Sequence, residues 1–101
     1  MSNDLDLYQK LKTEVAQVPW SALASHHERN AVFLVDHEVD LVNMGVEIAL
    51  DNVTFVKQHL EDGLLVNPLP EEVKAWETDE TNYTFDMIIV QPYVLIQKRS
   101  F

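Results

Sequence analysis

Between Asp4 and Val18 the apolar residues Tyr8, Leu11, Val15 and Val18 recur at three- and four-residue spacing, with Gln9, Lys10, Lys12, Thr13 and Glu14 opposite them. That period lays one apolar stripe along a helix, so the spacing predicts an amphipathic helix over this stretch. Ser2, Asn3 or Asp4 can cap its start, and Pro19 stops it because the residue before a proline is driven out of α geometry. Trp20 follows directly, and Ser21 is placed to cap a second, shorter helix running to about Arg29. Asn30 suits the left-handed position that closes such a helix.

The pattern then changes period. Ala31-Val32-Phe33-Leu34-Val35 is a β-branched and aromatic run bounded by polar residues, which predicts a buried strand. Leu41, Val42, Gly45, Val46, Ile48 and Ala49 form a broad helical face with Asp40 as its cap. Asp51-Asn52 interrupts that face with capping chemistry, and Val53, Val56 and Leu60 carry a further helix to Gly63. Leu64-Leu65-Val66 reads as a second short strand. Pro70 suits a first helical position, Glu71 and Glu72 suit the positive end of the helix dipole, and Val73 and Trp76 make the core-facing pair. A polar, acidic stretch from Glu77 to Asn82 reads as a loop.

Thr84 to Gln97 is the one long segment that reads as β throughout, and it contains Pro92. Proline has no N–H to give to a ladder, and Gln-Pro lacks the positive-φ residues that two-residue hairpin turns favour. The expectation is therefore one long strand bent at Pro92, with Phe85 to Val90 in the sheet and Tyr93 to Gln97 at its edge or against another chain. The predicted fold is α+β, a single domain over residues 1–101, with about five helices packed on a small sheet of about three strands.

Composition fits an ordered domain: 47% of the residues are apolar, and there are only two glycines and four prolines in 101 residues. The formal net charge of −10 repels phosphate backbones and anionic bilayers, so neither direct nucleic-acid binding nor membrane association is expected. The absence of cysteine removes disulfides, thiol nucleophiles and cysteine-based metal sites. The acidic start, Met1-Ser2-Asn3-Asp4-Leu5-Asp6, does not read as a signal peptide, and no apolar run reaches bilayer-spanning length, so a cytoplasmic location is expected.

Histidines near carboxylates are the sharpest chemical pattern: His26-His27-Glu28, Asp36-His37-Glu38-Val39-Asp40, and His59 with Glu61-Asp62. Imidazole and carboxylate suit divalent transition metals, which makes Asp36, His37, Asp40 and His59 candidate ligands for a metal-binding protein or a hydrolase. Adjacent helical residues point about 100° apart, and no H-x-x-x-H or H-E-x-x-H spacing occurs, so solvated turns and helix ends explain these residues better. Ser21 and Ser25 lie near His26 without a G-x-S-x-G elbow, and two separated glycines cannot form a phosphate loop. No catalytic residue, metal or cofactor is expected.

Glu14 with Pro19-Trp20-Ser21-Ala22-Leu23, the block Asp40-Leu41-Val42, Asp51, Leu60 with Gly63-Leu64-Leu65, Pro68, Trp76 and Val90-Gln91-Pro92-Tyr93-Val94-Leu95-Ile96-Gln97 together resemble a family of short bacterial proteins called domain of unknown function 2288. The likeness runs from Leu5 to Gln97. Asn30 stands where that family has glycine, and Tyr93 where it often has tryptophan, each keeping the physical role. The resemblance implies a fold and a bacterial origin and carries no catalytic residue with it.

The functional expectation is a small acidic, non-enzymatic interaction protein that self-associates as a homodimer. Tyr93 and Leu95 on the terminal strand and the acidic residues Glu71, Glu72, Glu77, Asp79 and Glu80 are its candidate interaction surface. The acidic run could also contact a basic protein partner, or mimic a nucleic-acid surface.

Overall fold

The structure, a computed structural model, describes residues 3–79 and 83–99. Helix α1 spans Asn3–Glu14, and the capping expected of Ser2, Asn3 or Asp4 falls on side chains outside the described set. The chain then forms β1, Ala16–Pro19, where the apolar spacing predicts more helix. Val15 and Val18 fit a helical stripe, but pairing of Ala16–Pro19 with β4 prevails over that local pattern. Trp20–Ala22 is a single 3₁₀ turn containing Ser21, and α2, Ala24–Glu28, follows it. Asn30 has φ 57°, the left-handed closure expected there.

β2 is Val32–Val35, α3 is Leu41–Ala49 and α4 is Val53–Glu61. Asp40 caps α3 by accepting from the Val42 N–H at 3.0 Å, and Asn52 caps α4 by accepting from the Phe55 N–H at 3.2 Å. Gly63, at φ 74°, ends α4 and leads into β3, Leu65–Val66. Helix α5, Pro70–Thr78, begins on the proline, and the Glu72 carboxylate accepts from the Leu69 N–H at 3.2 Å. Strands β4, Thr84–Val90, and β5, Tyr93–Lys98, complete the chain.

The sheet has five strands in the order β1-β4-β5-β2-β3, where about three were expected. All neighbours are antiparallel except β2 and β5, which run parallel. The expected single strand bent at Pro92 is instead a tight hairpin: Val90 pairs with Tyr93, and Gln91 and Pro92 form the turn between them. The Gln91-Pro92 bond is cis, the geometry of the turn class that takes proline at its second central position. Its missing N–H then lies outside the ladder.

The edge expected at Tyr93 to Gln97 is also corrected. β5 lies between β4 and β2, so its backbone is paired on both sides at Val94, Leu95 and Ile96 and has no open edge there. Val94, Leu95 and Ile96 are 1%, 0% and 0% exposed. Three consecutive buried residues require cover on both faces of the sheet. One layer, built on α1, α3 and α4, packs Leu11, Met44 and Val46 on Ile88, Val90 and Leu95. The other packs Trp20, Leu23, Val73 and Trp76 on Phe85, Val94 and Ile96, with the Trp20 and Trp76 rings 5.1 Å apart. Fully buried side chains of this size contribute roughly 1.5–3 kcal/mol each. A Cβ at Gly45 would stand 3.2 Å from the Leu11 side chain, so glycine there lets α3 sit close to α1.

Candidate functional site

Two regions collect the residues that could act on something else. The first is the acidic loop from Asp36 to Asp40, between β2 and α3. Asp36 closes a local turn, its carboxylate accepting from the Glu38 N–H at 2.9 Å and its carbonyl from the Val39 N–H at 2.9 Å. The Gln97 side-chain amide, on β5, donates to the carbonyls of Asp36 at 2.9 Å and Val39 at 2.7 Å, tying the loop to the central strand.

Asp36, His37 and Glu38 offer ligand atoms within 4.8 Å of one another, the group among the described residues that could hold an ion. His37 and Glu38 are exposed, and the His37 Nδ1 lies 3.7 Å from the Asp36 carboxylate. Asp40 stands apart from that group: one oxygen caps α3, and the other accepts from the Tyr8 hydroxyl at 2.6 Å. That bond is the main reason the Tyr8 hydroxyl titrates above the usual tyrosine range, with burial and the Asp40 charge adding to it. His59 is elsewhere, on α4, stacked on Phe55 at 4.1 Å and donating from Nδ1 to the Phe55 carbonyl at 2.8 Å.

The second region is an apolar hollow of about 370 Å³ between α4 and the sheet. The connection of α3 to α4 is tight, with Asp51 at φ 57°, and α4 packs Phe55 and Val56 on the core while Val53 and Leu60 stay exposed. Val53, Val56 and Leu60 repeat at the spacing of a core-facing helix, yet α4 has no buried residue. Val53 is 65% exposed, Leu60 44% and Tyr93, across the hollow, 40%. Phe33 and Leu65 form its floor, the Phe33 ring meeting Tyr93 edge to face at 5.6 Å. Two charged side chains also line it, Asp51 and Lys57, and neither has an ion-pair partner among the described residues.

Of the residues expected to form an interaction surface, Tyr93 lies at this hollow, whereas Leu95 is core and presents nothing to solvent. Glu71 and Glu77 are exposed on α5, Glu72 is engaged with the Leu69 N–H, Asp79 ends the helix, and Glu80 lies outside the described residues. The α4 residues Val53 and Leu60 carry no mark in the sequence that separates them from core positions. Their signal is the mismatch between an apolar period and an exposed helix.

Among the described residues no helix is long and apolar enough to cross a membrane. No curated protein matches the chain. The solution NMR structure of PA1075 from Pseudomonas aeruginosa is similar, at 30% identity and a TM-score of 0.78, over 95% of this chain and 87% of that one. The model for the proteins of unknown function termed DUF2288 matches residues 6–98, and the chain belongs to that family.

Proposed function

We propose that the chain is a small interaction protein that associates with a second copy of itself through the hollow beside α4. The carrying observation is an apolar helix face left open: Val53 at 65% and Leu60 at 44% exposure converge with Tyr93 on one concavity. Apolar residues that converge on one concavity support an association site, while apolar residues scattered singly do not. Phe33 and Tyr93 at the hollow are of the aromatic type in which interface centres are enriched. A bacterial, cytoplasmic setting belongs to the same proposal, supported by the relative from Pseudomonas aeruginosa and by a chain without cysteine.

Sedimentation velocity tests it. The wild-type protein should show a reversible monomer–dimer equilibrium with a dissociation constant on the order of micromolar, since a small patch without further contacts supports only modest affinity. Two chains of net charge −10 repel at long range, so association should tighten between about 10 and 150 mM salt as that repulsion is screened. Binding to a basic partner would weaken over the same interval. Val53→Asp, at an exposed first-turn position where an acid suits the helix dipole, should leave the monomer folded and abolish the dimer. A wild-type protein that stays monomeric at millimolar concentration, or a Val53→Asp variant that dimerises as well as wild type, would refute the proposal.

A further inference from the structure

We infer that the two copies meet about a two-fold axis at this hollow, with Asp51 of each copy opposite Lys57 of the other. This inference rests on the hollow being the self-association surface, and it adds the symmetry of the contact and the groups that fix its register.

Asp51 and Lys57 carry opposite charges, line the same apolar concavity, and have no ion-pair partner within the chain among the described residues. Arg99 is the cation that pairs with Asp86 on the sheet, at 2.7 Å, so that contact leaves Lys57 available. Asp51 and Lys57 are exposed at the hollow, and an occupant that takes water from them is favoured if it replaces that water with a counter-charge for each. The occupant that matches both brings an anion to Lys57 and a cation to Asp51 at once. A wholly apolar ligand supplies neither, a simple carboxylate supplies one, and a basic segment supplies only the other. A second copy turned through 180° supplies both, because in an isologous contact that sets Asp51 of one copy against Lys57 of the other, Lys57 of the first also meets Asp51 of the second.

The polar neighbour Asn52 does not alter this balance. Its side chain is already bonded at both ends, accepting from the Phe55 N–H and donating to Glu47 at 3.1 Å. Apart from the Tyr93 hydroxyl the remaining lining is apolar, so displacement of water there drives association while the two ion pairs select the orientation.

Charge exchange between copies provides the test. Lys57→Glu sets one carboxylate against another at both symmetry-related contacts of the dimer, and Asp51→Lys sets one ammonium against another at the same two places. Each variant alone should associate at least about tenfold more weakly than wild type in sedimentation velocity at 150 mM salt. An equimolar mixture should form heterodimer within about threefold of the wild-type affinity, since both pairs become complementary again. Asp51 holds a left-handed backbone, which lysine tolerates less well than asparagine, so a second pair avoids that position's strain. Asp51→Asn combined with Lys57→Glu should regain several-fold affinity over Lys57→Glu alone, because the facing repulsion is gone. Singles that dimerise like wild type, a mixture no tighter than the singles, or an Asp51→Asn change without effect on Lys57→Glu would overturn the two-fold pairing. A wild-type chain that never dimerises would instead defeat the underlying association surface, so the two failures are distinct.

Discussion

Gln97 offers the sharpest test of how the central strand organises the loop beside it. Its amide donates to two carbonyls, Asp36 at 2.9 Å and Val39 at 2.7 Å, and the Asp36 carbonyl also accepts from the Val39 N–H at 2.9 Å. Gln97→Leu keeps most of the volume and removes both donors. Each hydrogen bond is worth about 1 kcal/mol net, and the half-buried Val39 carbonyl loses its partner, so the loss should be about 2 kcal/mol. For a domain of this size that lowers the melting temperature by about 8–16 °C and moves the urea midpoint by on the order of 1 M at an unchanged slope.

Gln97→Glu sharpens the test, because at neutral pH it points a carboxylate at two carbonyl oxygens with nothing to donate. The folded state then favours the protonated carboxyl and raises its pKa above the unfolded value of about 4.3. A raised pKa means stability that is present below the unfolded value and is lost as pH rises through the folded one. Urea melts should therefore rank Gln97→Glu below Gln97→Leu at pH 7 and close or reverse the gap by pH 4. A Gln97→Leu variant within about 0.5 kcal/mol of wild type, or a Gln97→Glu penalty independent of pH, would refute the tether.

Other outcomes follow from the same contacts. Asp40→Ala removes the α3 cap and should cost about 1 kcal/mol in chemical denaturation, whereas Asp40→Asn should recover most of it. Because the Tyr8 hydroxyl is held above its usual range by its bond to Asp40, that bond's stabilisation is present below about pH 10 and lost as pH rises through the folded value. Tyr8→Phe should flatten that alkaline loss in thermal melts. Leu95→Ala should cost about 2–5 kcal/mol as a core deletion, and a cost under about 1 kcal/mol would return β5 to an edge. Calorimetric titration with zinc should reveal no binding at Asp36, His37 and Glu38 tighter than about tens of micromolar, since three consecutive, mostly exposed residues give an ion little enclosure.

What was legible in the sequence was local. Asn30 announces a left-handed closure and Gly63 a helix end, Asp40 and the pair Asp51-Asn52 announce caps, and Pro70 announces a helix start, because each role depends on the residue and its immediate neighbours. Strand order is not local. Ala16–Pro19 acquires its conformation by pairing with residues far along the chain, and the apolar period of Val15 and Val18 cannot report that. Val94-Leu95-Ile96 is the buried run that a central strand requires, yet Pro92 just before it is equally compatible with an edge strand.

The candidate site was half legible for the same reason. Tyr93 stands out as an aromatic beside a proline, and its place at the hollow follows once Gln91 and Pro92 make a turn. Val53 and Leu60 follow a pattern that normally signals burial, so only the three-dimensional packing exposes them as a surface. Asp51 and Lys57 gain meaning only from the hollow that they share.

Backbone amide NMR spectra recorded over a thousandfold dilution test the central claim most directly. Self-association through the hollow predicts concentration-dependent shifts centred on Val53, Lys57, Leu60 and Tyr93, saturating together with one dissociation constant and absent in Val53→Asp. Spectra that do not change with concentration, or shifts centred on α5 or β1 instead, would contradict it.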